Sequence, residues 1–419
     1  MSPFTDSQIQ QLAQQHGTPL WAYDAATIGQ RISELKSFDT IRFAQKACSN
    51  THLLRLMREH GVAVDAVSLG EIERALHAGY SVGAGHAAGI VFTADLFDRP
   101  TLARVVELGI PVNAGSIDML HQLGEEMGKR APGHRVWLRI NPGFGHGHSQ
   151  KTNTGGEQSK HGIWHADLPE ALAAVKKHGL HLVGIHMHIG SGVDYGHLSQ
   201  VCDAMVALVT QVKTLGHDIE AISAGGGLSI PYREGESRLD TAHYFSLWDG
   251  ARQHIAALLG QPVGLEIEPG RYLVAESGVL IAEVRAVKNM GSNHFVLVDA
   301  GFSDLVRPAM YGGYHHISVV PPRGATLATR VVRPCVVAGP LCESGDVFTQ
   351  LEGGVVSHRD LPSPEVGDLL VFHDTGAYGA AMSSNYNSRP LIAEVLVEGG
   401  QNRLIRRKQT VAELLQLEG

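Results

Sequence analysis

The stretch that decides the fold runs from 182 to 228: LVGIHMHIGSGVDYGHLSQVCDAMVALVTQVKTLGHDIEAISAGGGL. Its first part, 182–188, is a short apolar run that ends near glycine and reads as a strand. From Val201 to Val212 the apolar residues recur at helical spacing. A second apolar run, 219–224, leads into Gly225-Gly226-Gly227. Strand, helix and strand in so short a span form a βαβ unit, whose two strands are parallel.

The same alternation extends in both directions, from about Ile41 to Arg271. Strands are expected at 41–46, 62–66, 89–93, 110–113, 135–140, 182–188, 219–224 and 263–268. Most are apolar throughout, as strands buried on both faces are. Helical stripes lie between them: Leu53, Leu54, Leu56 and Met57 form one, and Ile72, Ala75 and Leu76 another. Asp167-Leu-Pro-Glu reads as an N-cap with proline just inside the helix. Eight β/α units in succession predict a (β/α)8 TIM-type barrel. An open, doubly wound sheet is the alternative.

After Arg271 the texture changes. Strands are expected at 279–287, 295–299, 331–338, 368–373, 391–398 and 403–409, and helical stripes become scarce. The expected organisation is a barrel over 26–270 and a mostly β domain from 271–419. Residues 1–25, with Trp21-Ala-Tyr23, add a strand to the β domain. The longest irregular stretch, 141–162, is rich in glycine and reads as a functional loop of the lid kind.

Composition narrows the function. The chain has 419 residues, enough for two domains, with 43% hydrophobic and 18% charged residues, as in ordinary globular enzymes. A formal charge of −8 without any basic block argues against a nucleic-acid or anionic-membrane partner. The first twenty residues are polar, with Gln8, Gln10, Gln11, Gln14 and Gln15, so no signal peptide and a cytoplasmic location are expected. Cys48, Cys202, Cys335 and Cys342 form no CxxC pair, which points away from a zinc knuckle or a disulfide framework.

In such barrels the chemistry collects at the C-terminal ends of the strands. Lys46, Asp65, Arg139, His186 with His188, Gly225 to Gly227, and Glu268 with Gly270 and Arg271 all fall there. Six polar strand ends are hard to explain by packing, because buried charge is costly unless it is used or paired. Lys46, read as the end of a buried strand, would be pushed towards the neutral amine that condenses with aldehydes. A lysine reaching to the rim is the plain alternative. Three glycines let backbone N–H groups crowd round a phosphate, although a tight βα turn needs the same letters. Glu268 is either half of an ion pair with Arg271 or a carboxylate for a pyridine nitrogen. His186 and His188 share a strand face and could be metal ligands of a barrel hydrolase. That reading needs further His or Asp ligands, and the strand ends offer Lys46, glycines and Glu268 instead, so no metal is expected. His146 and His148 in the long loop read as surface residues.

FAQKACSN (43–50), VDAVSLGEIERAL (64–76), HMHIGSG (186–192), GGGL (225–228), EIEPGR (266–271), CESGD (342–346) and DTGAYGAAMSSNYNSRP (374–390) together resemble the diaminopimelate decarboxylase family. This family is a branch of the alanine-racemase-like enzymes that use pyridoxal 5'-phosphate. The resemblance spans nearly the whole chain in order. It implies decarboxylation of meso-2,6-diaminopimelate to L-lysine, with Lys46 as the residue that holds the cofactor. It further implies cofactor contacts from Asp65, His188, Ser191, Gly226 and Gly227. Glu268 would sit at the ring nitrogen, with Pro269, Gly270, Arg271 and Tyr378 close by. Substrate contacts are implied for Arg271, Arg307, Tyr311, Glu343 and Tyr378. Cys342 matches a catalytic cysteine supplied by the other subunit, so the resemblance implies a homodimer with shared active sites. Cys342 or Lys46 would return the proton to carbon. Close alternatives are decarboxylases of ornithine, arginine or carboxynorspermidine, and a non-catalytic cofactor-binding relative. A racemase is disfavoured by Glu268, since racemases of this fold carry arginine at the ring nitrogen.

Overall fold

The computed structural model describes residues 2–83, 88–128, 133–145, 155–188, 190, 192 and 195–419. The chain divides into two compact units, one of 32–229 and 238–270, the other of 1–31, 230–237 and 271–419. Residues 26–31 and 230–237, expected with the barrel, cluster with the second unit. Arg31 there pairs with Glu276 at 2.8 Å, and Tyr232 accepts a hydrogen bond from Arg271.

In chain order the strands are β1 (Leu20–Asp24), β2 (Thr40–Ala44), β3 (Ala63–Ala66), β4 (Ile90–Ala94), β5 (Val112–Ala114), β6 (Arg135–Asn141), β7 (Ile163–Trp164), β8 (His181–His186), β9 (Ala221–Ser223) and β10 (Gly264–Ile267). There follow β11 (Gly278–Met290), β12 (Asn293–Val298), β13 (Ile317–Val320), β14 (Val332–Ala338), β15 (Arg359–Pro362), β16 (Leu369–Phe372), β17 (Ala393–Glu398) and β18 (Gln401–Arg406).

In the first unit the order β2-β3-β4-β5-β6-β8-β9-β10 returns to β2, with every pairing parallel. This is the closed TIM-type barrel; the β5–β6 and β10–β2 pairings remove the free edges that an open sheet would keep. Every residue of β2, β5 and β9 is buried, the polar Arg42, Asn113 and Ser223 included, as in strands covered on both faces. Helices connect the strands. Asn50 caps the helix Thr51–Glu59, Ser68 caps Leu69–His77, and Asp98 caps Arg99–Leu108, each by accepting a backbone N–H. Pro169 does lie in the first turn of Leu168–Lys177, but the Asp167 side chain makes no capping bond. A buried bidentate pair, Arg42 with Glu266 at 2.8 and 3.1 Å, links β2 to β10.

The second unit is a β structure ordered β15-β14-β12-β11-β1-β17-β18, with β16 beside β11 and β13 beside β16. The N-terminal strand β1 runs antiparallel to β11 and parallel to β17. Its core packs Leu20 and Ala22 of β1 with Val279, Ile281, Val371, Val395 and the helix residues Ile9 and Leu12. Strands β13 and β15 were not among the sequence expectations. Among the described residues no helix is long and apolar enough to cross a membrane.

Candidate active site

The C-terminal ends of the barrel strands bring together most of the residues singled out above. Strand β2 stops at Ala44, and Gln45-Lys46-Ala47 forms a 3-10 turn. Lys46 is therefore two residues past the strand and exposed, so the desolvation expected for its amine has no basis in burial. The turn itself is well fixed. The Ala44 N–H donates to the Pro269 carbonyl at 3.2 Å, and the Gln45 amide donates to the Glu71 carbonyl at 3.1 Å. A Cβ on Gly270 would come within 3.2 Å of the Ala44 oxygen and the Ala47 methyl, so Gly270 packs directly against the lysine turn.

Glu268 follows β10 and is buried. Its carboxylate accepts from Nε2 of His186 at 2.7 Å and from the Ser223 hydroxyl at 3.3 Å. Burial raises its pKa, but the charge and hydrogen bond of His186, with Arg42 behind, outweigh that and hold it at about 2. Asp65 behaves oppositely. Burial, and then the charge of Glu268, push its carboxyl well above the ordinary range. Among the described residues its Oδ1 has no hydrogen-bond partner. The site thus contains two buried carboxyls with different charge: Glu268 ionised, Asp65 tending to keep its proton.

Beside Glu268 lies the glycine turn, whose Gly225 carbonyl accepts the Glu268 N–H at 2.8 Å. Nδ1 of His188 accepts from the Gly226 N–H at 3.2 Å, which leaves that nitrogen without a proton. Burial, then Arg139 and Lys46, hold His188 well below the usual imidazole range. Gly225 and Gly227 have φ of +61° and +100°. A Cβ at Gly226 would fall 2.5 Å from the Glu268 carbonyl, and one at Gly227 would fall 2.2 Å from the Gly190 carbonyl. Only glycine fits, because carbonyl groups of the chain take the space that a Cβ would need. Ser191 lies outside the described residues, as do His146, His148 and the middle of the 141–162 loop.

The other predicted residues belong to the second unit. The Arg271 guanidinium donates to the Tyr232 phenol oxygen at 2.6 Å and lies 5.0 Å from the Tyr378 ring centroid. Arg307 is buried, lies 4.9 Å from the Tyr232 ring and donates to Nε2 of His315 at 2.7 Å. Tyr378 holds a left-handed φ of 57°, a strained setting for a residue with a Cβ. Tyr311 ends the short helix Arg307–Tyr311 and is partly buried. Cys342 and Glu343 are exposed. The Cys342 N–H donates to the Asn387 side chain at 2.8 Å, and the Tyr386 hydroxyl donates to Glu343 at 3.4 Å.

Three residues of these clusters were not among the expected contacts: Tyr232, His315 and, as a partner of Glu268, His186. In the sequence His186 stands at a strand end, in the HxH pair and in the HMHIGSG motif, none of which names Glu268 as its partner. Among the described residues no group of three or more His, Cys, Asp or Glu is arranged to hold a metal ion. His186 is engaged by Glu268 instead.

Residues 26–275 match the pyridoxal binding domain of the pyridoxal-dependent decarboxylases. The chain is 66% identical over 414 residues to the diaminopimelate decarboxylase of Escherichia coli K12, covering 99% of this chain and 97% of that one. The chain belongs to the diaminopimelate decarboxylase family. A Streptomyces coelicolor member is 68% identical over 403 residues, covering 96% and 90% of the two chains. A crystal structure of a diaminopimelate decarboxylase superposes with a TM-score of 0.94 at 65% identity, covering 100% and 98%. The Helicobacter pylori diaminopimelate decarboxylase, solved in complex with L-lysine, gives 0.85 at 32% identity, covering 98% of each chain.

Diaminopimelate decarboxylases use pyridoxal phosphate, and the barrel residues suit that cofactor. A phosphate is bound through backbone N–H groups; in the glycine turn Gly225 and Gly226 donate theirs to Ser223 and His188, and the N–H of Gly227 is the donor of the turn that fits this role. A pyridine nitrogen that is to stay protonated needs an ionised acid, and Glu268 is held ionised by His186 and Ser223. The aldehyde needs a primary amine, and Lys46 is an exposed one.

Proposed function

We propose that this chain catalyses the decarboxylation of meso-2,6-diaminopimelate to L-lysine and CO2, the last step of lysine biosynthesis. The observation that carries the reading is Glu268, a buried carboxylate kept ionised by two donors at the mouth of the barrel. Bound pyridoxal phosphate supplies an aldehyde for the substrate amine and a ring that takes up the electron pair left by departing CO2. Lys46 holds the cofactor and releases it to the substrate. Glu268 keeps the proton on the ring nitrogen, which makes the ring a better acceptor. Asp65 borders the same site. Gly226 and Gly227, with Ser191, would hold the phosphate, and His188 would border the cofactor ring. Pro269 and Gly270 support the Lys46 turn. Arg271 and Arg307, with Tyr311 and Tyr378, bind the substrate carboxylate remote from the reacting carbon, and Glu343 binds the remote ammonium. Fixing that end sets the scissile carboxylate, so the enzyme breaks a C–C bond rather than a C–H bond. Cys342 returns a proton to the reacting carbon.

In this reading 26–270 is the cofactor barrel, and 1–25 with 271–419 supply substrate-binding and interface residues. The working form is a cytoplasmic homodimer with shared sites. Measuring CO2 and lysine released from meso-diaminopimelate by the purified holoenzyme tests the reading. Equal amounts of the two products are expected. Equal or faster turnover of ornithine would reject the substrate assignment.

A further inference from the structure

Arg271 and Arg307 flank one ring, with guanidinium carbons 5.6 and 4.9 Å from the centroid of Tyr232. The two like charges beside this ring repel, and Arg307 is 8% exposed, so water does little to screen it. Buried arginines are usually compensated by carboxylates. Among the described residues these two are not. Arg271 donates to a phenol, Tyr232, and Arg307 donates to an imidazole, His315.

The state of His315 follows from its two partners. Its Nδ1 lies 2.8 Å from the carbonyl oxygen of His373, and a carbonyl can only accept, so Nδ1 carries the hydrogen. A guanidinium can only donate, so Nε2, 2.7 Å from the Arg307 nitrogen, must be bare. The imidazole is neutral by connectivity. Burial and the adjacent Arg307 charge agree, holding its basicity well below the usual imidazole range.

A neutral acceptor here has a specific consequence. Glutamate at this position would grip Arg307 more firmly but cancel its charge. We propose that His315 is a positioning residue that holds Arg307 without neutralising it, as Tyr232 holds Arg271, so that the pair stays doubly positive for the remote carboxylate of the substrate. This rests on the reading that the substrate carries such a carboxylate. The two residues act through the arginines and set specificity.

The test compares holoenzyme carrying His315→Gln, His315→Glu or His315→Leu with wild type. Two quantities are read: kcat and KM for meso-diaminopimelate, and calorimetric binding of pimelate, a dicarboxylate of the same chain length without amines. Glutamine can accept from Arg307 and donate to the His373 carbonyl, so both readouts should stay within about threefold of wild type. Glutamate should raise KM by roughly tenfold or more, change kcat less, and weaken pimelate binding in parallel. Leucine removes the acceptor and should weaken pimelate binding while the glutamine variant retains it. If the glutamate chain does not fold, the contrast between leucine and glutamine decides the matter. Wild-type affinity for pimelate in the glutamate or leucine variant would overturn the proposal, as would equal losses in the glutamine and leucine variants. Failure of wild type to bind pimelate would also overturn it. Failure of wild type to release CO2 from diaminopimelate, with pimelate binding intact, would reject the functional reading alone.

Discussion

Glu268 shows how one residue acquires its chemistry from its neighbours. An isolated buried carboxylate would hold its proton, because burial disfavours charge. Here the Nε2 of His186 and the hydroxyl of Ser223 both donate to it, and Arg42 lies behind. Glu268→Gln should keep the shape of the site but lose the charge that retains a proton on the cofactor nitrogen. Bound cofactor should remain, while kcat falls on the order of 10²-fold. Cofactor absorbance and turnover check this together, and near-normal kcat would make the carboxylate merely structural. A second residue-scale prediction concerns His373. Burial, and then the neighbouring His316, lower its pKa to about 4. The native chain therefore keeps it neutral, whereas the unfolded chain takes up a proton below about 6.5. Its contribution to stability is full above that pH and is lost as pH falls towards 4. Between pH 6.5 and 5 the loss is about 2 kcal/mol. The stability gap between wild type and His373→Gln should shrink by that amount over the same range in denaturant titrations. A gap independent of pH would mean that His373 titrates normally in the folded chain.

At the scale of elements, the turn after β9 is the most demanding piece of backbone. Gly227 has φ +100°, and its Cβ would strike the Gly190 carbonyl at 2.2 Å. Gly227→Ala should therefore distort the turn and lower cofactor affinity by about tenfold or more, with little change in circular dichroism. Titration of the apoprotein with pyridoxal phosphate measures this, and an unchanged affinity would remove the turn from the cofactor site. The sequence expresses such elements unevenly. The eight barrel strands are legible because strands such as β4 and β8 are mostly buried and so carry apolar runs, Ile90-Val-Phe and Leu182-Val-Gly-Ile. Strands β13 and β15 have four residues each; Pro321 follows the first, and the second, Arg-Asp-Leu-Pro, lacks β-branched residues. The second gives no pattern to read, and the first, Ile-Ser-Val-Val, is rich in β-branched residues but too short to stand out. The end of β2 was misplaced for a related reason, since apolar Phe43 and Ala44 run without a break into a 3-10 turn. Site residues were legible as types at strand ends. Their partners were not, because His186 and Glu268 are 82 residues apart, and no local pattern encodes who meets whom.

At the scale of the whole molecule, the working unit is the remaining question, and Cys342 and Glu343 raise it most directly. Both are exposed on the β unit. A thiol that delivers a proton to carbon works best away from bulk water, which would otherwise exchange with it. A carboxylate that selects an ammonium also gains little when solvent screens it. These residues suit their proposed roles only if another surface covers them, and a second copy of the chain is the partner that the family resemblance implies. The consequence can be tested without a structure of the assembly. Lys46→Ala lacks the amine that holds the cofactor, and Cys342→Ala lacks the proton donor, so each homodimer should be nearly inactive. After subunit exchange, a mixed dimer would contain one site with both defects and one site with neither. Equal mixing gives half of the dimers this composition, each with one intact site of two. Activity should recover to about one quarter of wild type if subunits exchange at random. Mass spectrometry of the mixture establishes that exchange has occurred. Proven exchange with no recovery would mean that Lys46 and Cys342 serve the same site within one chain.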